Sequence, residues 1–177
     1  MIVILIIVGL IVFYQIVKLL VGLGNTVKNS KTKDHIADIV DNQNNERVGA
    51  LRYGLFSMSY NGCEIIAVHN ARILLKQVST LSDTIRVFNR CRCQWLLGIF
   101  GTHSDALARV MKKVDLNFVK EKGMIPSCDG VYIVSFWNGR IPFDGIHTVA
   151  VEVKDGKLTI YNSDKISDNI ISVYRLS

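Results

Sequence analysis

Three residues of this 177-residue chain have the types and the order needed to activate a thiol: Cys63, His147 and Asn162. Cys63 follows the turn residues Asn61 and Gly62. It opens the stretch 63–77, where Ile66, Ala67, Asn70, Ala71 and Leu74 recur at 3–4 spacing and Ile65 and Val68 widen the apolar surface. The spacing predicts a largely buried helix that starts at Cys63. A helix N-terminus carries about half a positive charge, which favours thiolate, and its backbone N–H groups can hold an oxyanion. Such a nucleophile needs a base, and the base needs an orienting partner. Of the four histidines, His35 lies in a polar stretch and His69 lies on the same helix, turned away from Cys63. His103 stands at a predicted helix start, and His147 opens a strand that leads to the hairpin turn Asp155-Gly156. Asn162 ends the return strand. Residues 147 and 162 are nearly symmetric about that turn, and cross-strand neighbours have Cβ atoms about 4.5–5.5 Å apart. An Asn162 side-chain carbonyl there would hold one ring N–H of His147 and aim the other nitrogen at the thiol. Asp164 is a rival for that orienting role. Glu64 reads as a first-turn complement to the helix dipole that points away from Cys63.

Positioning these residues takes helices first and a sheet second. A second helix is predicted over 81–92 with Leu81, Ile85 and Phe88 inward. A third is predicted over 103–114, started by Thr102 and Asp105 and striped by Leu107, Val110, Met111 and Val114. Strands are predicted at 131–136, 148–153 and 158–161, with a closing strand at 170–174. Helices followed by an antiparallel sheet make an α+β domain.

A cysteine at the start of the central helix, then a histidine opening one strand and an Asn or Asp ending the next, resembles the papain-like cysteine peptidases. The string Asn61-Gly62-Cys63-Glu64-Ile65-Ile66-Ala67 is most similar to their compact bacterial branch, which includes the leader-processing peptidase domains of bacteriocin exporters. The resemblance covers roughly residues 51–165. It implies a papain-like fold with Cys63 as nucleophile, His147 as general base and acid, and Asn162 as the orienting residue. It also implies a peptide or protein substrate. The family places a Gln several residues before the cysteine as an oxyanion donor. Residues 55–62 contain none, which leaves Asn61, Tyr60 and Ser57 as substitutes. Losing one such donor costs about 10²–10³ in rate, so a non-catalytic peptide-binding module on the same fold is the alternative. A cell-wall amidase is a third reading. Specificity is expected in the loops at 95–103 and 137–146.

The chain is 49% hydrophobic with a mean hydropathy of +0.27, and the excess sits at the N-terminus. Residues 2–23 are apolar apart from a few positions such as Gln15 and Lys18, long enough at about 1.5 Å per residue to cross a hydrocarbon core of about 30 Å. Gly22 and Gly24 could form a signal-cleavage site. The absence of a basic n-region and the length of the apolar run favour an uncleaved anchor over residues 1–24. Lys28, Lys31 and Lys33 follow it, so the positive-inside rule directs the C-terminal domain to the cytoplasm. Residues 25–50 read as a polar tether and 51–177 as the catalytic domain.

The net charge of +6 divides into +1 before residue 51 and +5 after it. Arg86, Arg90 and Arg92 suit a solvated helix face, and no nucleic-acid partner is expected. Cys91, Cys93, His103 and Cys128 are zinc-type ligands without the usual paired spacing, so no metal and no organic cofactor is expected. Four cysteines are few for a disulfide scaffold, and nothing in the sequence sets an oligomeric state.

Overall fold

The change of periodicity near residue 115 is where the chain passes from helices to sheet. The computed structural model describes residues 1–32, 35–103, 105–122, 126–139 and 145–177. Helix α1 (Ile2–Lys31) comes first, followed by a single turn α2 (Glu46–Gly49) and a small ribbon of β1 (Arg52–Tyr53) and β2 (Phe56–Ser57). Helices α3 (Met58–Asn61), α4 (Cys63–Leu74), α5 (Leu81–Arg90) and α6 (Ala106–Lys113) precede strands β3 (Phe118–Glu121), β4 (Gly130–Trp137), β5 (Ile146–Lys154), β6 (Lys157–Tyr161) and β7 (Ile170–Leu176). The last five strands pair antiparallel in the order β3-β7-β4-β5-β6. The expected α+β organisation is therefore present. The expected closing strand lies inside the sheet, between β3 and β4.

Both faces of the sheet are covered, which is why β4 is apolar on consecutive residues. Val131 and Ile133 face the helices and share a core with Ile65, Ile66, Val68, Ala71, Ile85 and Phe88. Tyr132, Val134 and Phe136 pack on the other face with Val149, Val151, Val153 and Val173. Helix α4 lies across β4 and β5 and brings its first residue to the start of β5. Burying each Ile or Val of this layer contributes about 1.5–3 kcal/mol.

Three expectations need correction. Residues 25–50 are not a free tether. Helix α1 continues to Lys31, and Asn25 and Asn29 are buried against the domain because their amides find backbone partners there. Asn29 donates to the Arg52 carbonyl at 3.0 Å and accepts from the Arg52 N–H at 2.9 Å, while Asn25 donates to the Gly54 carbonyl at 2.6 Å. Farther on, Ile36, Val40 and Val48 join the main core. The third helix begins at Ala106, and Asp105 makes no side-chain cap. Thr102 instead forms an isolated bridge with Gln94. The capping box stands at α5, where Thr80 and Asp83 satisfy each other's backbone N–H groups.

Candidate active site

Cys63 is the first residue of α4, directly after Gly62. A side chain at position 62 would clash with the Met58 carbonyl at 2.5 Å, so the short α3 can hand over to α4 only through a glycine. This tight junction fixes the thiol beside β5. Its sulfur lies 3.9 Å from the Ile146 carbonyl, one residue before His147. Cys63, His147, Asn162 and Asp164 line one cleft of about 760 Å³, together with Asp41, Gln43, Tyr60 and Asn138. The structure thus brings together on one cleft the residues that sequence spacing selected. Of the expected specificity loops, residues 140–144 lie outside the described residues, while Asn138 and Gly145 border the cleft.

The bonds inside the cleft differ from the expected ones. His147 Nε2 lies 3.0 Å from the backbone carbonyl of Asn162, not from its side chain. A carbonyl only accepts, so Nε2 carries the proton and Nδ1 is the basic nitrogen. The cause is local. Asn162 follows the last β6 residue with a φ of 70°, which takes it out of the ladder and turns its carbonyl toward β5. Its side-chain amide faces Gln43: Asn162 Oδ1 accepts from the Gln43 N–H at 2.7 Å, and Asn162 Nδ2 donates to Gln43 Oε1 at 3.2 Å. Gln43 Nε2 in turn donates to the Ser59 carbonyl at 2.8 Å. Sequence reasoning missed Gln43, which lies in the stretch read as a tether and has no partner within reach along the chain.

The oxyanion substitutes separate. Asn61 is buried and its amide is committed to the Tyr53 carbonyl at 3.1 Å and the Gly98 carbonyl at 2.9 Å, so it holds the fold and offers no donor to the cleft. Ser57 precedes α3 without capping it and is not part of the cleft lining. Tyr60 lines the cleft and is exposed, its hydroxyl 3.4 Å from the Ile99 carbonyl.

Glu64 also departs from its expected place. Its carboxylate accepts a hydrogen bond from the Cys63 thiol at 3.2 Å. Burial pushes the thiol well above its ordinary range, and the neighbouring Glu64 charge pushes it further. Burial likewise raises the Glu64 carboxyl. Burial and the adjacent carboxylate thus both favour the protonated thiol. Cys91, Cys93 and Cys128 are free, and no group of three or more metal-ligating side chains occurs among the described residues. Comparison with protein-family models, curated proteins and solved structures finds no match to this chain.

Proposed function

We propose that this chain is a membrane-anchored, papain-like thiol hydrolase that cleaves a peptide or amide bond through an acyl-enzyme on Cys63. The observation that carries this reading is the single cleft in which a cysteine at a helix N-terminus and a histidine at the start of the adjoining strand are lining residues. In the proposed reaction a substrate carbonyl enters the cleft and displaces Glu64 from the thiol. The sulfur attacks the carbonyl carbon as its proton passes to His147 Nδ1, the nitrogen left basic by the Asn162 carbonyl. The oxyanion is met by backbone N–H groups of the first α4 turn and by the Tyr60 hydroxyl. Collapse expels the amine, which takes the proton from Nδ1. Water, deprotonated by the same nitrogen, then hydrolyses the thioester. Asn162 orients the imidazole through its main chain, and Gln43 holds Asn162 in place. Asp164 borders the cleft without a hydrogen bond to His147 that would give it the orienting role.

The anchor belongs to the same reading. Helix α1 is long and apolar enough to cross a membrane, and the domain buries its residues only from Lys18 onward, leaving its first half bare. We assign it as a single-pass anchor, with the positive-inside rule directing the domain to the cytoplasm. The second reading, a peptide-binding module without turnover, is favoured by the Cys63–Glu64 bond and by the commitment of Asn61 elsewhere. Iodoacetamide labelling of the full chain in detergent, read at Cys63 by peptide mass spectrometry, separates the two. A hydrolase requires labelling at pH 7 to fall at least about tenfold in His147→Ala, because the thiol proton then has no acceptor. Labelling that rises only in the alkaline range and ignores His147 sinks the hydrolase and leaves the binding module.

A further inference from the structure

The segment 94–102 forms a closed loop that presents its large apolar side chains to the outside. Its neck is tied by the Gln94–Thr102 bridge and by the Trp95 N–H on the Gly101 carbonyl at 3.0 Å. Its floor is tied by the Leu55 N–H on the Leu97 carbonyl and by Asn61 on the Gly98 carbonyl, both at 2.9 Å. Leu96 and Leu97 both adopt positive φ, 43° and 57°, a conformation that disfavours branched side chains and persists only where surroundings enforce it. The enforced shape leaves Trp95 53% and Phe100 61% exposed, with Leu96, Ile99 and the neighbouring Leu55 also open. Trp95 and Phe100 lie against each other with ring centres 5.6 Å apart. A soluble surface gains nothing from holding five large apolar side chains outward.

Where this loop sits follows from the partners of α1, taken toward its N-terminus. Asn29 bonds Arg52, Asn25 bonds Gly54, Gly22 lies against Asn89, and Lys18 donates to the Arg92 carbonyl at 2.9 Å. Moving along α1 toward its bare apolar half, the domain therefore presents first β1, then the Gly54-Leu55 turn, then the end of α5, from which the loop emerges. The apolar run of α1 reaches Leu23, so the domain's contacts at Lys18 and Gly22 already lie within the stretch that lipid would surround. The 94–102 loop stands at that level, led by a tryptophan, the residue type enriched at membrane interfaces.

We propose that residues 95–100, with Leu55, insert into the lipid interface beside α1, so that the domain is held to the bilayer at two points and the cleft lies close to the membrane surface. The Tyr60 hydroxyl on the Ile99 carbonyl links this loop to the cleft wall. The inference rests on α1 being a membrane-spanning helix, and the test separates the two. The full chain is reconstituted into phosphatidylcholine vesicles with a minor fraction of phosphatidylglycerol, with and without brominated phosphatidylcholine. Trp137→Phe leaves Trp95 as the sole tryptophan. Phe13→Trp, in a chain that also carries Trp95→Phe and Trp137→Phe, reports on the anchor. Quenching of both tryptophans by brominated lipid, with Trp95 shielded from aqueous iodide, supports the proposal. Quenching of the anchor tryptophan with a Trp95 that stays open to iodide overturns it while the anchor stands, and the loop is then better described as a bank of the cleft for an apolar peptide. An anchor tryptophan that brominated lipid does not reach overturns both.

Discussion

His69 and His147 make the same hydrogen bond in opposite settings. Each places Nε2 3.0 Å from a backbone carbonyl, His69 on Asp38 and His147 on Asn162, so each carries its proton on Nε2 and leaves Nδ1 bare. His69 is fully buried with an unpartnered Nδ1, and burial lowers its pKa to about 4. His147 lines the open cleft. The strap between Asp38 and Gln43 serves both, meeting His69 and Asn70 in the core and Asn162 at the cleft. The same local bond leaves His69 with an unpartnered Nδ1 inside the core and leaves His147 on the lining of an open cleft. What decides reactivity is access, which hydrogen-bond geometry alone does not report.

The largest expected effect tests the silent side. Unfolded chain takes up a proton at His69 below about pH 6.5, the native state only near 4, so native stability falls as pH drops through that window, by up to about 3 kcal/mol. Urea unfolding midpoints at successive pH values should show this slope, and His69→Gln should flatten it. An unchanged slope in the variant would remove His69 from the silent side of the comparison.

Next comes the strap itself. Asn70 donates to the Val40 carbonyl and accepts from the Val40 N–H, both at 2.9 Å and both buried. Asn70→Ala should cost about 2–3 kcal/mol in urea unfolding, because two main-chain groups lose their partners. The folded variant should still label Cys63 like the parent, since the cleft end of the strap is held separately by Gln43. A loss of labelling in the folded variant would mean that the two ends act as one unit.

A smaller effect is expected at Glu64. Because its charge adds to burial in holding the thiol protonated, Glu64→Gln should raise Cys63 labelling several-fold at neutral pH. Labelling that stays equal would assign the upward push on the thiol to burial alone. Smallest of all, Gln43→Ala should lower stability by about 1 kcal/mol through the lost Asn162 and Ser59 bonds, and should make labelling less dependent on His147 as Asn162 loosens.

Much of this was legible along the chain. The 3–4 spacing after Gly62 marks α4, and the Asp155-Gly156 turn centres the β5–β6 hairpin, but Ala150 pairs with Tyr161 there, so Asn162 does not stand directly across from His147, where symmetry about the turn would put it. Cys63, His147 and Asn162 still line one cleft, because Asn162 leaves the ladder with its carbonyl turned to His147. Several of the failures involve partners far off in sequence. Asn25 and Asn29 look like linker residues until β1 is beside them. Gln43 looks idle until Asn162 arrives from the opposite end of the chain. Hairpin symmetry places Asn162 near His147 but says nothing of its positive φ, which decides that the main chain and not the amide meets the imidazole.

Asn29 and Asn70 share a further property. Each offers its side-chain amide to a backbone N–H and C=O of one residue, as a neighbouring strand's peptide group would. Asn29 thereby covers the outer edge of the β1–β2 ribbon. A soluble fragment cut after α1, beyond Lys31, would leave that edge bare, an open template for pairing with another chain. Its tendency to aggregate would then come from a missing asparagine rather than from an unstable core.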